Sequence, residues 1–186
     1  MSIPNILTLM RIALIPVFVL FFYLPFTWVN LAVTFIFGLA AVTDWLDGFL
    51  ARRLEQVSPF GAFLDPVADK LMVAVALILL VQANPNAWMV VPAAIIIGRE
   101  ITVSALREWM AGAGEREQVA VSVIGKFKTI AQMVAILFML FREDLFGIPT
   151  LALGYIFLYI AGILTLWSMM IYLQAAWPSL MRGNSR

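Results

Sequence analysis

Three long stretches of this chain, residues 12–43, 71–98 and 145–181, contain no Asp, Glu, Lys or Arg. A helix that crosses the hydrocarbon core of a bilayer needs about 20 predominantly apolar residues. Inside that core every backbone polar group must be satisfied within the protein, which helices achieve segment by segment. The chain has 186 residues, 63% hydrophobic and only 12% charged, against roughly 25% charge in soluble domains. The expected fold class is therefore all-α, a polytopic membrane protein built as one integral-membrane domain over residues 1–186.

Breaks in the apolar runs divide the chain into six expected transmembrane helices. LPFTWVN (24–30) separates a first span, 6–25, from a second at 29–50. QANPNAW (82–88) is a turn cluster between spans at 62–82 and 87–108. REWMAGAGEREQ (107–118) precedes a fifth span at 119–141, and REDLFGIP (142–149) precedes a sixth at 149–177. The first span fits a cleavable signal peptide poorly, since its first basic residue is Arg11 and no small-x-small site follows. The loops after spans one and three carry no Lys or Arg, and the loop after span five carries only Arg142. The other eleven basic residues gather toward the opposite face, which predicts that both termini are cytoplasmic. Trp28, Trp88, Trp109 and Trp177 fall near span ends, as an interfacial aromatic belt requires.

Net charge is +1, so no polybasic surface suggests nucleic acid. The chain has no cysteine and no histidine, which excludes disulfides, thiolate metal sites and a cysteine nucleophile. Proton transfer must fall to Asp, Glu, Lys or Tyr.

Against this oil, TDWLDGFLARRLEQVSPFGAFLDPVADK (43–70) places four aspartates at the expected cytoplasmic boundary. If span two stays helical through residue 51, Asp44, Asp47, Gly48 and Ala51 share one stripe. Asp65 and Asp69 share a face of span three, with Pro66 between them, so that helix is expected to begin or bend there. Four converging carboxylates would repel one another and lose hydration. Two divalent cations match their charge, and an all-oxygen ligand set suits Mg²⁺ or Mn²⁺. Metal pairs about 3.5–4 Å apart recur where displacement occurs at phosphorus. The blander alternative is a set of solvated helix-end charges, with Asp65 capping a helix that starts at Pro66. An EF-hand is excluded because its ligand alternation is missing.

The same stretch reads D-x2-D-G-x2-A-R-x8-G-x3-D-x3-D and resembles the signature of the CDP-alcohol phosphotransferases. All eight fixed positions are present: Asp44, Asp47, Gly48, Ala51, Arg52, Gly61, Asp65 and Asp69. NILTLMR (5–11), GREITVSALREW (98–109) and IGKFKT (124–129) resemble bacterial members that use glycerol 3-phosphate. The resemblance implies a six-helix enzyme, a homodimer of the bacterial inner membrane, with its site open to the cytoplasm. It implies CDP-diacylglycerol as donor, sn-glycerol 3-phosphate as acceptor, and phosphatidylglycerophosphate and CMP as products. It further implies that Asp44, Asp47, Asp65 and Asp69 hold two divalent cations, and that Asp69 is also the general base. Gly48, Arg52 and Gly61 would line the cytidine diphosphate site, with Asn5 and Thr8 as additional contacts.

An acceptor bearing a phosphate dianion calls for basic residues within the apolar helices. Arg99, Arg107, Lys126 and Lys128 are the expected set, with Glu100 placed to orient an arginine and Arg11 available either for the same task or for structural pairing. Lysines and arginines at span ends also snorkel to lipid phosphates. Serine as acceptor has no phosphate to occupy such a set. An inositol phosphate does, and remains an alternative within the family. An ion-coupled transporter is the alternative from a different class, although transporters show repeats and broken helices near the midplane.

Overall fold

A computed structural model describes residues 3–53, 59–112, 123–145 and 147–182. Six helices account for nearly all of them, and no strand forms among the described residues. They are α1 (Ile3–Phe22), α2 (Val29–Arg53), α3 (Pro59–Ala83), α4 (Ala87–Gly112), α5 (Val123–Phe141) and α6 (Thr150–Arg182). The chain is an all-α polytopic membrane protein. Among the described residues three segments, Asn5–Phe22, Ala87–Gly112 and Thr150–Trp177, are long and apolar enough to cross a bilayer unaided, and α2 contributes a shorter apolar run, Val29–Asp44. Every helix nevertheless turns large apolar side chains outward. Leu20, Phe35, Ile78, Ile101, Ile130 and Ile163, one from each, are all more than half exposed. Such a surface calls for lipid rather than water. The four tryptophans expected at span ends are also exposed.

Helix ends follow local chemistry. α1 stops at Phe22, three residues short of the expected end, because Pro25 disfavours helical backbone at the residue before it. α3 does not begin at Pro66. It begins at Pro59, whose missing N–H falls in a first turn where no partner exists, and Pro66 lies inside the helix. That removes the reading of Asp65 as a cap. α5 closes with Arg142 in the left-handed region (φ 60°), its guanidinium 5.6 Å from the Phe22 ring centroid. A tight turn follows, with reciprocal Leu145–Ile148 backbone bonds and Gly147 at φ 79°.

The helices divide into two compact units, Met1–Pro85 with Ile136–Gly154, and Asn86–Ala135 with Tyr155–Arg186. In the first, α1 packs against both α2 and α3. Its core takes Phe18 from α1, Val33, Phe37 and Ala40 from α2, and Ala68, Met72, Ala76 and Leu80 from α3. These recur at helical spacing and form the inward stripe of each helix. In the second, α4 buries Met89, Ala93, Ile96, Arg99, Val103 and Met110, and α6 buries Leu158, Ala161, Thr165, Ser168, Tyr172 and Ala176. Each unit thus has a mostly apolar core with a polar part on the same stripes.

Candidate active site

In the first unit the inward stripes turn polar toward one end. On α1 the buried positions before Phe18 are Asn5, Thr8 and Arg11, spaced three apart. On α2 the stripe Val33, Phe37, Ala40 continues to Asp44, four residues on. On α3 the buried Gly61 and Ala68 bracket Asp65 on the same face. Three helices therefore bring their chemistry to one layer without departing from helical periodicity.

The contacts in that layer are specific. Arg11 is almost fully buried and donates from Nη1 to Oδ1 of Asp44 at 2.7 Å, while the Asp44 side chain is 41% exposed. Between the two expected tasks for Arg11, this selects pairing. Thr8 donates its hydroxyl to Oδ1 of Asp65. Asp69, one turn beyond Asp65, is half-buried. α2 continues to Arg53, so the backbone condition for one stripe through Asp47, Gly48 and Ala51 holds. The side chains of Asp47 and Arg52, and the surroundings of Gly48, lie outside the described residues. Among the described residues no three acidic side chains converge as a ligand group. The donor chemistry of those present fits a hard divalent cation: oxygen only, with one oxygen of Asp44 and one of Asp65 already oriented by α1.

The second unit holds the basic group. Arg99, on the buried stripe of α4, donates to Oε1 of Glu100 at 3.2 Å and to Ser168 Oγ of α6 at 3.2 Å. Lys128 of α5 is buried and donates to the same Glu100 oxygen. Arg107 donates to the hydroxyl of Tyr172 at 2.7 Å. Both arginines also lie against the Tyr172 ring, with guanidinium carbons 5.5 Å and 5.2 Å from its centroid. Two turns of α4 separate Arg99 from Arg107, and Tyr172 gathers them on one partner. Arg99 Nε is buried and has no hydrogen-bond partner, as is true of Thr165 Oγ1 and Gln132 Oε1 in the same unit. Of the four expected acceptor residues, Arg99, Arg107 and Lys128 join this network. Lys126 is exposed on α5.

Tyr172 and Ser168 were not expected from the sequence. The signal available was TLWSMMIYL (165–173), where Thr165, Ser168 and Tyr172 recur at helical spacing inside an otherwise apolar span.

The CDP-alcohol phosphatidyltransferase family matches residues 1–167. A Pseudomonas fluorescens protein named CDP-diacylglycerol–glycerol-3-phosphate 3-phosphatidyltransferase is 60% identical over 181 residues, 97% of this chain and 92% of its own length. Proteins of the same name from Pectobacterium atrosepticum and Sodalis glossinidius are 58% and 57% identical, covering 94% and 95% of this chain and the same shares of their own. A motif intact at all eight positions, a family match over most of the chain and identities near 60% at almost full length lead to one conclusion: the chain belongs to the CDP-alcohol phosphatidyltransferase family.

Proposed function

We propose that this protein transfers the phosphatidyl group of CDP-diacylglycerol to sn-glycerol 3-phosphate, releasing phosphatidylglycerophosphate and CMP in phospholipid biosynthesis. The observation that carries the reading is near-full-length likeness to relatives named for that reaction. The transporter alternative falls with family membership.

The acceptor end is supported by charge. Arg99 and Lys128 pair with one carboxylate, Glu100, and Arg107 adds a third cation on Tyr172, so the described pairs of this largely buried group carry more positive than negative charge. A phosphate dianion offsets that excess, and Arg99 Nε is a donor ready for one of its oxygens. Serine would leave the charge unmatched. Lys126, exposed on α5, adds to the local positive potential.

At the donor end Asp44, Asp47, Asp65 and Asp69 would hold two divalent cations, Mg²⁺ or Mn²⁺. When bound, these supply neutralisation of the diphosphate and stabilise charge on departing CMP. Asp69 accepts the proton of the acceptor's primary hydroxyl as that oxygen bonds to the phosphatidyl phosphorus and the bond from phosphorus to the CMP oxygen breaks. Gly48, Arg52 and Gly61 line the cytidine diphosphate, with Asn5 at the buried end of α1. Acyl chains stay in the bilayer while the headgroup reaches the aspartates, which accounts for a site at the membrane boundary. We place all six helices across the bacterial inner membrane as one catalytic domain, with aspartates and termini cytoplasmic and the chain a homodimer.

Purified protein in detergent with Mg²⁺, CDP-diacylglycerol and sn-glycerol 3-phosphate should release CMP, and Asp69→Asn should lower that release by about 10²–10⁴-fold. Equal CMP release with serine, or none with glycerol 3-phosphate, overturns the acceptor assignment.

A further inference from the structure

The first helix does more than complete the core of its unit. Its polar positions Thr8 and Arg11 are three residues apart, on one face, and each engages a carboxylate from a different helix. Thr8 reaches Asp65 on α3 and Arg11 reaches Asp44 on α2. In each case the oxygen engaged is Oδ1. Both side chains are buried, Thr8 completely and Arg11 at 1% exposure. A carboxylate with one oxygen held by a fixed donor loses rotational freedom, so its remaining lone pairs face a set direction.

We propose that Thr8 and Arg11 are positioning residues of the metal centre: α1 acts as an outer brace that fixes the orientation of Asp44 and Asp65 for divalent cations. The inference rests on the metal-dependent reading above, and it reassigns Thr8 from donor contact to ligand orientation. Physical precedent is general. Groups that hydrogen-bond metal-ligating side chains fix their direction, and removing such a group typically lowers metal affinity about 10–100-fold. Arg11 has an added role. Its charge offsets Asp44 when no cation is bound, and its planar fork sets a direction that a lysine ammonium would not.

The test measures Mn²⁺ binding to detergent-purified protein without substrate, by the loss of the free-ion electron paramagnetic resonance signal. Thr8→Val, close to isosteric, should weaken Mn²⁺ binding about 10–100-fold. Thr8→Ser, which keeps the hydroxyl, should stay within about threefold of the unchanged protein. Arg11→Lys, which keeps the charge but not the fork, should also weaken binding. Thr8→Ala is the second deletion variant, free of any overpacking by a valine methyl. Metal-free melting of each variant reports folding separately. In CMP release, Thr8→Val should raise the Mg²⁺ concentration for half-activation and leave KM for glycerol 3-phosphate unchanged.

Several results would overturn the proposal. One is Thr8→Val and Thr8→Ala binding Mn²⁺ as the unchanged protein does, even if their metal-free melting falls, since that marks a purely structural hydroxyl. Another is a raised KM for CDP-diacylglycerol with Mn²⁺ affinity intact, which would return Thr8 to the donor site. A third is Thr8→Ser binding as weakly as Thr8→Val. If the unchanged protein itself takes up no Mn²⁺, the metal reading fails and the proposal fails with it, a result distinct from the other three.

Discussion

Tyr172 shows how much one side chain can organise. It is buried on α6, its hydroxyl accepts from Arg107, and its ring lies against two guanidinium groups. Two cations near one ring repel each other, so their approach is favoured only if the ring quadrupole, the hydrogen bond and an anionic ligand together outweigh that repulsion. Tyr172→Phe keeps the ring and removes the acceptor for Arg107. A hydrogen bond to a charged group contributes about 1.5–3 kcal/mol, so KM for glycerol 3-phosphate should rise by roughly tenfold or more. KM for CDP-diacylglycerol should not move. Tyr172→Leu, which also removes the ring, should do worse on the same measurement, and an unchanged acceptor KM in both would detach Tyr172 from the acceptor. Asp44 and Asp65, which α1 engages in one layer, were legible in the sequence because charge is conspicuous among apolar residues and their spacing is specific. Tyr172 was not, because a tyrosine near the end of an apolar span reads equally well as an interfacial anchor. Arg11 was legible only as a choice between two tasks. Which carboxylate it meets depends on how α1 packs against α2, and local periodicity carries no information about that.

At the scale of the helix, the apolar runs and their breaks located all six elements. What periodicity could not decide was the meaning of each proline. Pro25 ends a helix, Pro59 starts one, and Pro66 is carried inside one, although all three have the same ring. A one-dimensional pattern does not record which of these three outcomes a proline takes. Glycines pose a similar question, since in membrane helices they often mark close backbone approach. Gly38 in α2 and Gly162 in α6 can be resolved by distance. A Cβ at Gly38 would lie 3.7 Å from Leu137 Cδ2, and one at Gly162 would lie 3.7 Å from Pro92 Cβ. Both are ordinary contact distances, so neither glycine is required by crowding. Replacing glycine by alanine inside a helix gains about 0.5–1 kcal/mol. Gly38→Ala and Gly162→Ala should therefore each raise the melting temperature in detergent, by a few degrees at most, with CMP release retained. A fall in melting temperature would mean that these helices need a closer approach than the structure shows.

For the whole molecule the open question is how many helices cross the bilayer, and charge and length answer it differently. Among the described residues, length and composition alone pass three helices. Three crossings would leave the termini on opposite faces; six return both to one face. The distribution of basic residues favours six, because the connections after α1 and α3 contain none and the one after α5 contains Arg142 beside Glu143 and Asp144. Outward apolar side chains on α2, α3 and α5 agree. The charged ends of α2 and α3 are where the aspartates lie. The chain lacks cysteine, so single-cysteine labelling has no background. In intact spheroplasts a membrane-impermeant maleimide should label Thr27→Cys, Asn84→Cys and Asp144→Cys, and should reach Ser2→Cys and Ser185→Cys only after the membrane is opened. Labelling of one terminus but not the other from outside would reject an even number of crossings. It would also break the inference that the aspartates meet a cytoplasmic acceptor, because their placement rests on the same count.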